Sequence, residues 1–173
     1  MNPLLAIDPG LTTGWALLGD WIKGAGKVDV LDCDSFKLKG RGTKRLARLQ
    51  EHIRDVISDL AEQGCHPKLA VVEKLEGFSY RRSTRGSKAL NQKALQTNRD
   101  FTTAIILALD GLGIEVETMN PVGPEGWKRG LASDLTQTVK MIWDIECDQH
   151  VADAVMMGNH FIKMKRVEAM GAG

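Results

Sequence analysis

Cysteines and long apolar segments are both scarce in this 173-residue sequence. The three cysteines, Cys33, Cys65 and Cys147, are odd in number and form no Cys-x-x-Cys pair, so neither a disulfide framework nor a zinc site is predicted. The first apolar run is interrupted by Asp8 and Pro9, which leaves it too short for a signal peptide or a membrane span. These absences predict a cytoplasmic protein with no membrane partner.

Acidic residues are absent from two basic segments, although the net charge of the whole chain is only +1. The first segment contains Lys37, Lys39, Arg41, Lys44, Arg45 and Arg48. The second segment contains Arg81, Arg82, Arg85, Lys88, Lys93 and Arg99. A single basic run is usually a solvated face, but two acid-free runs beside a cluster of carboxylates favour a surface that binds a polyanion.

Three carboxylates lie at the end of an apolar segment or within one. A charged side chain is costly in such a place, so it suggests a function. Asp8 ends the run Leu-Leu-Ala-Ile, Glu73 ends the run Leu-Ala-Val-Val, and Asp153 lies near the C-terminus. Both runs have the length and branching of short buried strands. Oxygen ligands from distant segments form the kind of cage that Mg²⁺ or Mn²⁺ requires. The sequence therefore predicts a metal site, provided that the fold brings the three carboxylates together.

Hydrophobic periodicity predicts an α/β domain over residues 1–164, followed by a flexible tail at 165–173. Strands are predicted at residues 4–8, 14–18, 27–36, 69–73 and 114–119. Helices are predicted at residues 43–64, 90–109, 131–143 and 149–164. This order predicts a mixed five-stranded sheet flanked by helices, in which the first three strands form an antiparallel meander. The carboxylates that end the first and fourth strands would then lie side by side.

Three segments resemble the motifs of one known family. Residues 6–15, AIDPGLTTGW, resemble an opening strand-and-turn motif in which an aspartate precedes Pro-Gly and a later glycine-aromatic pair. Residues 71–74, VVEK, resemble the second acidic motif, and residues 150–154, HVADA, resemble the third. Over roughly residues 4–162 the chain resembles the RuvC-type Holliday junction resolvases of the ribonuclease H superfamily. This resemblance implies a ribonuclease H-like fold.

The resemblance also implies a homodimer that binds a four-way DNA junction and makes two symmetric nicks by metal-dependent hydrolysis. It implies two Mg²⁺ or Mn²⁺ ions per active site and no small-molecule cofactor. The implied metal ligands are Asp8, Glu73, His150 and Asp153. His150 departs from the four-carboxylate pattern and would either bind metal or orient or deprotonate the attacking water. Asp148 leaves the fourth ligand open, because it is either a helix N-cap or that ligand itself.

Residues that contact DNA are implied in the same way. An aromatic residue after the fourth strand would stack at the junction centre, and Phe78 or Tyr80 fits, unless Phe78 packs beneath its own loop. Lys128 fits a catalytic or phosphate-binding lysine, whereas the companion lysine falls on Thr136, so either Lys140 replaces it or that contact is absent. Phosphate contacts are expected from Arg81, Arg82, Arg85 and Lys88, together with Lys39, Arg41 and Lys44 of the first basic segment.

Two other functions fit parts of the sequence. A protein that binds branched nucleic acid without cutting it would use the same basic surface but would gain nothing from a cluster of carboxylates. An actin-like ATPase would share a phosphate loop similar to residues 8–14, but it needs a second domain.

Within the nuclease class, a replication fork, a flap or an RNA–DNA hybrid would suit the same chemistry. The length favours a phage-encoded enzyme in the bacterial host cytoplasm. The helix at residues 90–109 would supply either its dimer interface or ordinary core.

Overall fold

The computed structural model describes residues 2–20, 27–75, 92–121, 126–131 and 134–171 of the chain. Its strands are β1 (Leu4–Asp8), β2 (Thr12–Leu18), β3 (Val30–Lys37), β4 (Leu69–Glu73) and β5 (Glu115–Met119). Its helices are α1 (Gly42–Glu62), α2 (Gln92–Asp110), α3 (Thr136–Trp143) and α4 (Gln149–Gly171). Every predicted strand and helix therefore has a counterpart in the structure.

The five strands form one mixed sheet in the order β3-β2-β1-β4-β5. β1 pairs with β2 and β2 with β3 in antiparallel register, which confirms the predicted meander. β4 lies parallel to β1, and β5 lies parallel to β4. Because parallel strands need a long crossover, the helices α1 and α2 fill the connections that lead into β4 and β5.

Both faces of the sheet are covered, and β1 shows why its sequence is apolar throughout. Leu4 and Ala6 point to a core that α4 completes, whereas Leu5 and Ile7 point to a core shared with α1 and α2. Successive side chains of a strand alternate between faces, so a strand covered on both sides reads as a continuous apolar run. The same argument applies to β4, whose five residues are all buried.

The helix α4 is longer than the sequence predicted. Its apolar pattern ends near Ile162, but the helix continues to Gly171 because residues 163–170 contain neither glycine nor proline. Lys165 fastens this extension to β5 through an ion pair with Glu117, with Nζ 3.0 Å from Oε1. The flexibility of the tail at 165–173 stays a prediction, but most of that tail is helical.

The helix α1 is amphipathic, and its buried residues Leu49, Ile53 and Leu60 pack on the sheet. It ends where expected, next to Gly64, which has a φ of +78° that an L-residue rarely adopts. No helix in the described part of the chain is both long and apolar enough to cross a membrane.

Candidate active site

One edge of the sheet collects the carboxylates that the sequence singled out. The parallel register of β1 and β4 pairs Ile7 with Val72, so Asp8 and Glu73 follow on neighbouring strand ends. Asp153, on the second turn of α4, is the third buried acid. The side chains of Asp8 and Asp153 are 9% and 10% exposed, and that of Glu73 is 7% exposed. Three buried carboxylates in one region are unfavourable unless a positive charge lies beside them.

Gly14 lets α4 reach this edge. It lies on β2 directly opposite Asp8. A Cβ atom at this position would lie 2.2 Å from the carbonyl carbon of His150, which is shorter than any tolerated contact. The first turn of α4 therefore packs directly against the backbone of Gly14. Glycine is needed here for this close approach and not for its torsion angles. The sequence showed Gly14 only as part of a turn motif, and its role in helix packing was missed.

His150 contacts Asp8 directly. Its Nδ1 lies 2.9 Å from Asp8 Oδ2, within hydrogen-bond distance, and its side chain is 42% exposed. With the Nδ1–H donating to Asp8, the Nε2 atom keeps its lone pair for a metal or a proton. The structure thus brings His150 to the site that its motif predicted.

Asp148, the other candidate for the fourth metal ligand, uses both carboxylate oxygens in hydrogen bonds to other groups. Its Oδ1 accepts a hydrogen bond of 2.9 Å from the backbone N–H of Val151, and its Oδ2 accepts one of 2.6 Å from the hydroxyl of Ser35 on β3. Because Asp148 immediately precedes α4, the bond to Val151 is that of a helix N-cap. The N-cap prediction for Asp148 is confirmed, and its carboxylate fastens α4 to β3.

Lys128 supplies positive charge between two of the carboxylates. Its Nζ lies 2.7 Å from Asp153 Oδ2 and 3.4 Å from Glu73 Oε2. The buried Trp127 supports it, with the ammonium 4.8 Å from the centre of the indole ring. The backbone N–H groups of Trp127 and Lys128 in turn donate to the carbonyls of Asn120 and Pro121, just after β5.

Gln149 completes the surroundings of Asp153. Its Nε2 donates a hydrogen bond of 2.8 Å to Asp153 Oδ1, so both oxygens of that carboxylate have a donor. Its Oε1 accepts a longer bond of 3.4 Å from the N–H of Leu135, which precedes α3. A glutamine next to a histidine carries no sequence signal of its own, and sequence reasoning did not identify it.

The pKa values of the site show how the charge is distributed. Burial, followed by the charge of Asp8, raises the pKa of Glu73 to about 7. Burial also raises the pKa of Asp8, although the hydrogen bond from His150 opposes it. The bond to Asp8 is the main cause that raises the pKa of His150. Burial alone would lower the pKa of Lys128, but Glu73 and Asp153 outweigh it and raise that pKa. Burial is thus the main reason that these carboxylates hold their protons more tightly, and for Glu73 the charge of Asp8 adds to it.

The donor set fits a divalent metal in chemistry and in charge. Carboxylate oxygens and an imidazole nitrogen are ligands for Mg²⁺ and Mn²⁺. Glu73 Oε2 is buried and has no hydrogen-bond partner among the described residues; its 3.4 Å ion pair with Lys128 does not supply one. The described residues nevertheless contain no preformed cluster of three metal-ligating side chains. The contacts divide the site into an Asp8–His150 pair and a Glu73–Lys128–Asp153 group.

Part of the expected DNA-binding surface lies at the same edge. β3 ends at this edge, where Lys37 pairs with Thr12, and Leu38 donates to the carbonyl of Leu11 in the turn after Asp8. The basic segment continues from there into α1, whose first turn contains no acidic residue. Positive side chains at a helix N-terminus oppose its dipole, so this arrangement suits an anion. The exposed side chains of this segment include Lys39, Arg41 and Lys44.

Lys140, the candidate to replace the companion lysine, has another partner in the described structure. It forms an ion pair with Glu146 on an exposed surface. Thr136, at the start of α3, bonds instead to Asp134. The remaining candidates lie outside the described residues; they are Phe78, Tyr80, Arg81, Arg82, Arg85 and Lys88.

Comparisons with known proteins agree with this architecture. No protein-family model matches the chain, and no curated protein matches it in sequence. Among solved structures, RuvC from T. thermophilus in complex with a Holliday junction substrate is similar with a TM-score of 0.69 and 18% sequence identity. A second structure of Thermus thermophilus RuvC has a TM-score of 0.66 and 21% identity. Each likeness covers 96% of both chains. The chain therefore has the ribonuclease H-like fold of RuvC over nearly its whole length.

Proposed function

We propose that this protein is a metal-dependent endonuclease that resolves Holliday junctions, or other branched DNA, by paired symmetric nicks. The observation that carries the proposal is the group of three buried carboxylates, Asp8, Glu73 and Asp153, at the edge where a basic segment also begins. Buried acids destabilise a fold unless a cation compensates them. In a nuclease, divalent metal ions provide this compensation and lie beside the phosphodiester that is cut.

Asp8, Glu73, His150 and Asp153 would hold two Mg²⁺ or Mn²⁺ ions. Such ions, when bound, activate a water for attack on phosphorus and stabilise the leaving oxygen. Asp8 orients His150 by accepting its Nδ1–H. His150 then presents Nε2, which can bind a metal or take a proton from water. Lys128 is placed to offset the charge that builds up on the phosphate, because it already lies between two carboxylates.

Branched DNA fits the distribution of charge around this site. Lys39, Arg41 and Lys44 would contact phosphates on the α1 side of the carboxylates, since contacts to phosphate position DNA without reading its sequence. We assign the same role to Arg81, Arg82, Arg85 and Lys88, and the role of stacking at the junction centre to Phe78 or Tyr80. The solved RuvC complex contains a Holliday junction, which supports this choice of substrate.

Two symmetric nicks require two active sites, so we propose a homodimer. The outer face of α2 is suited to the interface: Ile106 is partly buried, and Leu107 is 59% exposed despite being apolar. Leu112, in the turn after α2, is 43% exposed. Ile106 and Leu107 line one pocket on this face together with Thr103, and an exposed apolar patch is typical of an interaction surface. We place the enzyme in the cytoplasm, and in that of a bacterial host if a phage encodes it.

Cleavage assays on matched substrates test the proposal. Labelled four-way junction, fork, flap, linear duplex and RNA–DNA hybrid are incubated with the protein in Mg²⁺, Mn²⁺ or EDTA. We expect paired nicks at symmetric positions of the junction, only when metal is present. Asp8→Asn should abolish the nicks yet keep or improve junction binding, because it removes a negative charge near phosphate. Wild-type rates of nicking by this variant would show that the assigned site is wrong.

One observation favours a second function, that of a protein that binds branched DNA without cutting it. Lys128 already partly neutralises Glu73 and Asp153, so the described fold does not depend on metal for all its compensation. This alternative predicts tight junction binding and no nicks in any metal. The substrate panel above separates the two functions, since binding and cleavage are measured on the same molecules.

A further inference from the structure

The two strand ends that carry Asp8 and Glu73 are not joined to each other by the sheet. Between β1 and β4 the last paired residues are Ile7 and Val72. Among the described strands, Asp8 is paired only with Gly14 on β2, and Glu73 only with Met119 on β5. The ladder therefore brings Asp8 and Glu73 side by side, but it ends one residue before them and does not hold their own backbone groups to each other.

The helix α2 supplies a contact to each strand end. The Asn98 amide Nδ2 donates a hydrogen bond of 3.2 Å to the carbonyl of Pro9, the residue after Asp8. The Thr102 hydroxyl donates a bond of 3.1 Å to the carbonyl of Glu73 itself. Asn98 and Thr102, which we call the α2 anchor, are four residues apart and thus on one face of the helix. Four residues of a helix rise about 6 Å, close to the distance of about 4.8 Å between neighbouring strands.

Thr102 is a polar residue at a buried position of α2, and its hydroxyl bonds to another element. Farther along the same face of α2, Ile105 and Leu109 are fully buried in the core. Thr102 is 2% exposed, in a place where an apolar side chain would fit the pattern. A threonine inside a helix commonly bonds to a carbonyl of its own helix, four residues back. Here the hydroxyl reaches a different element, 29 residues away in sequence.

We propose that Asn98 and Thr102 are positioning residues that hold Asp8 and Glu73 at the spacing needed to share a metal. Both hydrogen bonds go to backbone carbonyls, that of Pro9 beside Asp8 and that of Glu73 itself. The inference rests on the proposed metal site and extends it to residues outside the three sequence motifs. Groups that orient metal ligands through hydrogen bonds commonly change metal affinity by about 10–100-fold when they are removed.

The test compares variants that differ by one hydroxyl. Thr102→Val keeps the shape and the β-branching but removes the donor, Thr102→Ser restores the donor, and Thr103→Val makes the same change at the exposed neighbouring position. Affinity for Mn²⁺ is measured by calorimetry without DNA, and stability is measured by urea unfolding of the metal-free protein. We expect Mn²⁺ affinity to fall about tenfold in Thr102→Val, and to be close to the wild-type value in Thr102→Ser and Thr103→Val.

The remaining outcomes either support or overturn the anchor. A Thr102→Val protein that is less stable but binds Mn²⁺ like the wild type would show a merely structural threonine. Should Thr102→Val fail to fold, Mn²⁺ affinity is measured for Asn98→Ala, because Asn98 is only half-buried. Weaker Mn²⁺ binding by this variant supports the anchor, and unchanged binding overturns it. A wild-type protein that binds no Mn²⁺ at millimolar concentration would refute the metal site itself, and the anchor with it. That result differs from a failure of the anchor alone, in which the wild type and Thr102→Val bind equally.

Discussion

Replacing Glu73 by glutamine should stabilise the metal-free protein at alkaline pH. The side chain of Glu73 is 7% exposed, and its Oε2 has no hydrogen-bond partner among the described residues. Burial and the charge of Asp8 raise its pKa to about 7. Above that pH the wild type must keep a charge in a poorly solvated place, whereas glutamine fills the same volume without charge. The variant also loses the ion pair with Lys128, which offsets part of the gain.

The size and sign follow from proton linkage. A pKa of about 7 in the fold, compared with the ordinary value of 4.5, corresponds to about 3 kcal/mol at 1.36 kcal/mol per pKa unit. Between these two pH values the folded state binds more protons than the unfolded state, so the free energy of unfolding decreases as pH rises. The stabilisation by protonated Glu73 is complete below pH 4.5 and is lost above about pH 7. At pH 8.5 the gain in Glu73→Gln should thus approach, without exceeding, about 3 kcal/mol.

Urea unfolding in EDTA, repeated from pH 4.5 to pH 8.5, measures this difference. Glu115→Gln is the matched control, because Glu115 is exposed on the neighbouring strand β5 and the same atoms change. The wild-type curve should fall with pH more steeply than that of Glu73→Gln and in parallel with that of Glu115→Gln. Added Mn²⁺ should stabilise the wild type at pH 8.5 but not Glu73→Gln. Parallel curves for wild type and Glu73→Gln would refute the reasoning.

Two further variants examine how α4 is placed. In Gly14→Ala the new Cβ would overlap the backbone of His150, so we expect a loss of about 1–3 kcal/mol in unfolding free energy together with loss of cleavage; unchanged values of both would show that α4 does not depend on this contact. Asp148→Ala removes the N-cap and should reduce stability by about 1 kcal/mol while preserving Mn²⁺ affinity, whereas His150→Ala should weaken Mn²⁺ binding. Equal loss of Mn²⁺ affinity in both variants would assign a ligand role to Asp148.

The fold was predictable because each element carries its own signal. The apolar runs that end in Asp8 and Glu73 are short and branched, as buried parallel and central strands are, and the structure places strands there. The spacing of Leu49, Ile53 and Leu60 predicted α1 for the same local reason. The end of α4 was less predictable, because its last residues leave the core and lose the apolar pattern while they stay helical.

The contacts of the site were only partly predictable. Motif resemblance identified Lys128 and His150, and the structure brings both to the carboxylates. It did not identify Gln149, Thr102 or Asn98, because common polar residues inside a helix carry no distinctive signal. The sequence left open whether Lys140 replaces the companion lysine, and in the structure Lys140 forms an ion pair with Glu146.

The sequence by itself determined the strands, the helices and the acidic residues that end apolar runs, since periodicity and branching are properties of neighbouring residues. Only the tertiary structure decided which of His150 and Asp148 faces Asp8. Both residues lie in the first turn of α4 or just before it, and the choice depends on the helix resting against Gly14 while Asp148 bonds to Ser35. Contacts between distant segments depend on how elements pack, and for that reason no local pattern in the sequence encodes them.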